Sequence, residues 1–81
     1  DPVAAKRLAR VRAAVNALAE THRMPAENLV PPDAVRRLAW TPPDPVDVGS
    51  VRASLAGNGA RAWQVSLTAE ALAAALPDPP E

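Results

Sequence analysis

The sequence predicts an all-α protein, a compact bundle of about five helices. Three observations carry that expectation. Apolar residues recur at helical spacing over positions 4, 8, 11, 15 and 18, with His22 next on the same line. The later apolar stretches are opened by Pro, Asp or Thr start signals and closed by Gly or Pro. No stretch alternates with period two long enough to make a strand, and no internal repeat is visible. A chain of 81 residues has room for one domain, near the size at which a single core only just outweighs chain entropy.

Composition makes that core thin. Nineteen of the hydrophobic residues are alanine, and the larger apolar side chains are Val, Leu, Met24, Trp40 and Trp63 alone. Helices facing one another through Ala must pack closely. With no Cys, Tyr, Phe or Ile, disulfide frameworks, thiolate metal sites and cysteine nucleophiles are excluded. Eight arginines against one lysine, with abundant Ala, Pro and Val, have the look of coding in a GC-rich genome.

The formal net charge is zero, which argues against strong non-specific nucleic-acid binding, since that affinity comes mainly from neutralising phosphates. The distribution is uneven: residues 1–40 hold seven basic and four acidic side chains and residues 41–81 two and five, so the halves carry +3 and −3. No apolar run approaches the ~18 residues that suggest a membrane span, and no secretory signal opens the chain, so a cytoplasmic location is the expectation. The start at Asp1 and the Pro-rich end over 77–81 fit a fragment of a larger protein with a core over about residues 3–76 and a solvated tail.

Taken in order, Asp1 and Pro2 form an N-cap and N1 pair for a long amphipathic helix reaching His22. Leu8, Val11, Val15 and Leu18 are its expected buried stripe. Lys6 and Arg10 fall on the opposite face, and Arg7 and Arg12 flank the stripe. His22, the single histidine, lies on the stripe in the last turn, where an imidazole suits the terminal carbonyls better than catalysis. Pro25 opens a helical turn anchored by Leu29 and Val30. Pro32 and Asp33 start a helix to about Trp40, with Val35, Leu38 and Ala39 inward and Arg36 and Arg37 outward. Residues 41–45 form a stiff proline linker. Asp47, in preference to Asp44, caps the next helix, lined by Val48, Val51 and Leu55 up to Gly57. After the Gly57-Asn58-Gly59 turn, a short helix over 60–65 places Trp63 inward. Thr68 caps a last helix to Leu76, with Leu67 and Leu72 as a hydrophobic staple.

Reactive constellations are scarce. Phosphodiester hydrolysis needs a convergent set of carboxylates or histidines around metal and water, and the acidic residues here sit at caps, loops and the tail. Joining Ser54 or Ser66 to His22 gives no supported nucleophile site, and no Gly-Lys-Ser/Thr phosphate loop is present. No catalytic, cofactor or metal residue is therefore expected. The glycine turn is the exception worth chemistry: free backbone N–H groups around Gly57 and Gly59 could cradle a phosphate, reinforced by Arg61. An ordinary helix-ending corner has the same pattern. Trp40 and Trp63 invite base stacking, yet in a chain without Phe or Tyr they read better as core.

The order of segments carries a resemblance. A long first helix is followed by Met24-Pro25-Ala26-Glu27-Asn28-Leu29-Val30, then by residues 31–40 (PPDAVRRLAW), a proline linker, and residues 59–68 (GARAWQVSLT). This resembles the C-terminal region of actinobacterial ribonuclease D-like 3′–5′ exonucleases and, more loosely, the HRDC domain of helicases and ribonuclease D, over about residues 4–76. The turn also resembles the Gly-hydrophobic-Gly hairpin of helix-hairpin-helix DNA binders, with Asn58 at the middle position. The resemblance implies a helical accessory domain, non-catalytic in itself, attached to a metal-dependent exonuclease domain of the same chain. It would help hold RNA, or DNA, weakly. The residues expected to do so are Arg36, Arg37 and Arg61, with Lys6, Arg7, Arg10, Gly57 and Gly59 as auxiliaries. The alternative is a structural module that packs against the parent enzyme or a partner protein.

Overall fold

The computed structural model of the protein describes residues 1–80, so Glu81 of the expected tail lies outside the described residues. Five helices follow one another: α1 (Pro2–His22), α2 (Ala26–Leu29), α3 (Pro32–Trp40), α4 (Val48–Gly57) and α5 (Ala62–Ala75). The all-α expectation holds. α1 packs against both α3 and α5, α4 pairs with α5 and touches α3, and α2 bridges α1 to α5, within an envelope of 35 × 22 × 18 Å.

The helix ends follow local chemistry. The Asp1 carboxylate accepts the Val3 N–H at 3.0 Å, and Pro2 supplies the first turn. α1 stops at His22 because Arg23 turns into the left-handed region (φ 53°). The Met24 N–H then reaches the Ala19 carbonyl at 3.0 Å and the Arg23 N–H the Glu20 carbonyl at 3.2 Å, the double bond of a Schellman ending. Asp47 is the cap of α4: its carboxylate accepts the Ser50 N–H at 2.7 Å while its own N–H donates to Ser50 Oγ at 3.0 Å.

Among the described residues sixteen hydrophobic ones are buried, namely five Ala, six Val and five Leu. None is aromatic. The stripe on α1 is centred on Ala4, Val11, Val15 and Ala19, with Leu8 and Leu18 only partly buried at its edges and His22 exposed. Alanines on this line let α3 and α5 approach α1 closely, and the same closeness leaves no space for an indole. Trp40 and Trp63, expected inside, are each 46% exposed. Both occupy terminal turns, Trp40 as the last residue of α3 and Trp63 as the second of α5, beyond the packed middle of the bundle.

Two further expectations are corrected. Val48 is exposed, and Val46 of the linker packs against the core. The pair of helices expected over 60–65 and 68–76 is one continuous α5. Thr68 sits inside it, fully buried, its hydroxyl donating to the Gln64 carbonyl at 2.8 Å. Threonine can cap a helix or bond back to the preceding turn, and here it does the second. The staple dissolves with it: Leu72 is core and Leu67 is exposed.

Candidate nucleic-acid interface

The outward face of α3 collects the first group of residues. Arg36 and Arg37, both exposed, converge on Asp33 one turn back. Arg37 Nε donates to the Asp33 carboxylate at 2.9 Å, and Arg36 bonds its other oxygen. These hydrogen bonds, that from Arg37 foremost, hold the Asp33 carboxyl below its usual pKa. Trp40 follows Arg36 by four positions and Arg37 by three, so its indole shares their face. Asp33, Arg36, Arg37, Trp40 and Thr41 line one shallow depression. Two guanidiniums beside an open aromatic face can engage a phosphate and a stacked base together. Asp33 offsets one of the two charges.

Arg7 and Arg10 are placed otherwise than expected. Arg10 does not face solvent opposite the stripe: its Nε donates to the Ala75 carbonyl at 3.0 Å and its Nη2 to that of Leu76 at 3.1 Å. Arg7 Nη1 donates to the Ala39 carbonyl at 2.7 Å. The two guanidiniums thus gather the negative C-terminal ends of α3 and α5 onto α1. Both also hold Asp78, Arg7 Nη2 at 2.8 Å and Arg10 Nη2 at 2.7 Å. Hydrogen bonds from Arg7 first and Arg10 second bring the Asp78 carboxyl down to about 2. The solvated tail is therefore tied back to α1 by one exposed carboxylate. Lys6, the third member of this auxiliary set, is exposed and forms no ion pair among the described residues.

At the glycine corner the amides of residues 58–61 are occupied. The Asn58 N–H donates to the Ser54 and Leu55 carbonyls, Gly59 to Ala56, and Ala60 to Leu55. The Arg61 N–H donates to Gln64 Oε1 at 2.7 Å. Gly59, at φ 96°, makes a bend that a residue with a Cβ would strain to adopt. Gly59 therefore shapes the corner, its amide already paired, while Gly57 is the last residue of α4. Arg61 is exposed at the start of α5 beside Trp63, on a shelf shared with Met24, Glu27 and Asn28. Gln64 fastens that shelf, its Nε2 donating to the Asn28 carbonyl at 2.9 Å.

Among the described residues no three His, Asp or Glu side chains come together as a metal site would require. A cleft of about 190 Å³ between α1, α2 and α3 is lined mainly by Val15, Ala26, Val30 and Val35, with Arg12 and Glu27 on the lining as well. The family described as the 3′ to 5′ exonuclease C-terminal domain matches the chain over residues 1–76. The chain belongs to this family. No curated protein and no solved structure matches it.

Within this exonuclease C-terminal domain the eight basic and glycine positions singled out from sequence separate into three places: the α3 face, the α1 clasp and the corner. Trp40 and Trp63 invite stacking from the sequence but read there as core, although their positions in the outer turns of their helices are the available signal for exposure. Asp78, between prolines after the last helix, carries no local pattern that announces a partner 71 residues away.

Proposed function

We propose that this domain is a non-catalytic accessory of a ribonuclease D-like 3′–5′ exonuclease, HRDC-like in kind, that helps position RNA for the catalytic domain. The observation that carries the reading is the α3 face, where exposed Arg36 and Arg37 stand beside the exposed indole of Trp40. A single strand can set a phosphate on the guanidiniums and a base on the indole, the combination used by proteins that hold single strands without reading their sequence. Family membership supports the attachment to an exonuclease. Binding is weak, because the net charge is zero and Asp33 already occupies both arginines. The test is binding of a short single-stranded RNA at about 50 and 200 mM salt, concentrations that separate phosphate-driven affinity from the rest. Replacing Arg36 and Arg37 together by Ala is expected to weaken binding at about 50 mM salt and to flatten its salt dependence. Equal affinity in the double variant refutes the reading.

A second reading, a module that packs on its parent enzyme, is favoured by a different surface. Trp63 and Leu67, four residues apart on α5, are both exposed and share a face. The two roles use different helices, so substitution of Trp63 separates them: it leaves RNA affinity unchanged and weakens attachment to the catalytic domain.

A further inference from the structure

We propose that Arg7 and Arg10 form a phosphate subsite for single-stranded RNA that the tail keeps closed through Asp78, with Trp40 beside it to stack the attached base. This rests on the RNA-positioning role of the domain and adds a second, regulated site to it. The argument starts from what orients the two guanidiniums. Arg7 is fixed through Nη1 on the Ala39 carbonyl, and Arg10 through Nε and Nη2 on the carbonyls of Ala75 and Leu76. These bonds are independent of Asp78, so the donors that remain point to one place whether or not a carboxylate fills it. That place receives Arg7 Nε at 3.3 Å and Nη2 at 2.8 Å, and Arg10 Nη2 at 2.7 Å, all on the two oxygens of one carboxylate. Two guanidiniums sharing an oxyanion are equally suited to a phosphate, which offers more acceptor oxygens in the same reach.

What occupies the site is loosely attached. Residues 77–80 are exposed, and the Asp78 carboxylate makes the tail's only hydrogen bonds among the described residues. Pro77, Pro79 and Pro80 on either side cannot donate a backbone hydrogen bond that would fix the tail elsewhere. Its displacement frees one carboxylate and three prolines and leaves the five helices in place. The surroundings suit a nucleotide. Trp40 directly follows Ala39, whose carbonyl holds Arg7, and its indole is open. Lys6, exposed and unpaired among the described residues, lines the same groove as Arg10, Asp78, Pro79 and Pro80. Arg36 and Arg37 lie apart from this clasp, in the α3 depression that they share with Trp40 and Asp33. The Asp78 carboxylate therefore stands in for the phosphate and competes with it from within the chain.

The test compares the full chain with Asp78→Ala and Asp78→Asn, and with Asp78→Ala combined with Arg10→Ala, each checked for helical content. A 12-nucleotide oligouridylate is the RNA probe. Opening the latch is expected to tighten binding about tenfold, the effect of one charge-assisted contact. It should also steepen the dependence of log K on log salt by about 0.7, one phosphate on a single strand. The added Arg10→Ala should reverse both changes. Inorganic phosphate, against chloride at equal ionic strength, should raise the melting temperature of Asp78→Asn and leave the wild type unmoved. Unchanged affinity and slope in folded Asp78→Ala, with no phosphate response in Asp78→Asn, overturn the latch. If the wild type still binds RNA through Arg36 and Arg37, only the latch has failed; if no form binds RNA, the positioning role has failed, and a phosphate response in Asp78→Asn alone shows an anion site with no RNA function, which also overturns the proposal.

Discussion

Single side chains in this protein carry connections between elements that the backbone alone does not make. Gln64 has both ends of its amide in use, Oε1 accepting from the Arg61 N–H and Nε2 donating to the Asn28 carbonyl, so one buried residue caps α5 and ties it to α2. Asp78 does the same for the tail, α1 and, through the arginines, the ends of α3 and α5. Because its folded pKa is about 2 against an ordinary 3.8, the ion pairs stabilise the fold above about pH 4, and that contribution is lost as the pH falls toward 2. Urea midpoints of the wild type and Asp78→Asn measured from pH 6 to pH 2 should therefore show a wild-type advantage at pH 6 that closes between pH 4 and 2. The paired design cancels Asp33, whose lowered pKa is common to both proteins. An advantage that persists to pH 2 contradicts the assignment. At this scale the sequence was legible in part. Asp47 is read correctly as a cap, whereas the pairing of Asp33 with Arg36 and Arg37, three and four residues on, is absent from the sequence reading although helix geometry makes such spacings into contacts. Asp78 was not legible, because its partners are chosen by how α1 meets α5.

Among the elements, α5 shows where sequence pattern and tertiary packing part. Thr68 precedes an apolar run as an N-cap does, and only the burial of Val65, Thr68, Ala69 and Leu72 on one continuous face reveals that the helix passes through it. The two interpretations differ in energy. A cap threonine lost from a helix start costs about 1 kcal/mol, whereas a mid-helix hydroxyl that bonds back to the preceding turn adds little to the helix, and its removal leaves the Gln64 carbonyl its helical N–H partner. Thr68→Val is accordingly expected to change stability by less than about 0.5 kcal/mol in denaturant unfolding; a loss of about 1 kcal/mol or more would restore the two-helix arrangement. The other boundaries were readable because Pro and Asp fix them chemically: Pro2, Pro32 and Asp47 each stand at the helix start they predicted. The end of α1 also fell where expected, at His22, although the residue that turns it is Arg23 in a conformation usually left to Gly or Asn.

For the whole molecule, the decisive property is a core of Ala, Val and Leu with both tryptophans outside it. That division was hidden in the sequence, since scarcity of aromatics suggested that the two present would be core, and the alanine lines that exclude them act only once three helices are brought together. It also decides where the domain is fragile. Leu38 of α3 is fully buried, and Trp40, two residues on, is a much larger side chain that is nearly half exposed. Truncating a buried leucine to alanine costs about 2–5 kcal/mol, because a closely packed site cannot collapse to fill the void. Against a total stability of about 5–15 kcal/mol, and with each kcal/mol worth about 4–8 °C in a domain of this size, Leu38→Ala should lower the thermal midpoint by about 8–40 °C. Trp40→Ala, if the indole is there for a ligand, should lower it by only a few degrees while removing part of the RNA affinity. Circular dichroism melts of the two variants beside RNA titrations check both halves at once. A Trp40 variant that melts as early as the Leu38 variant would return the indole to the core and take the α3 face with it.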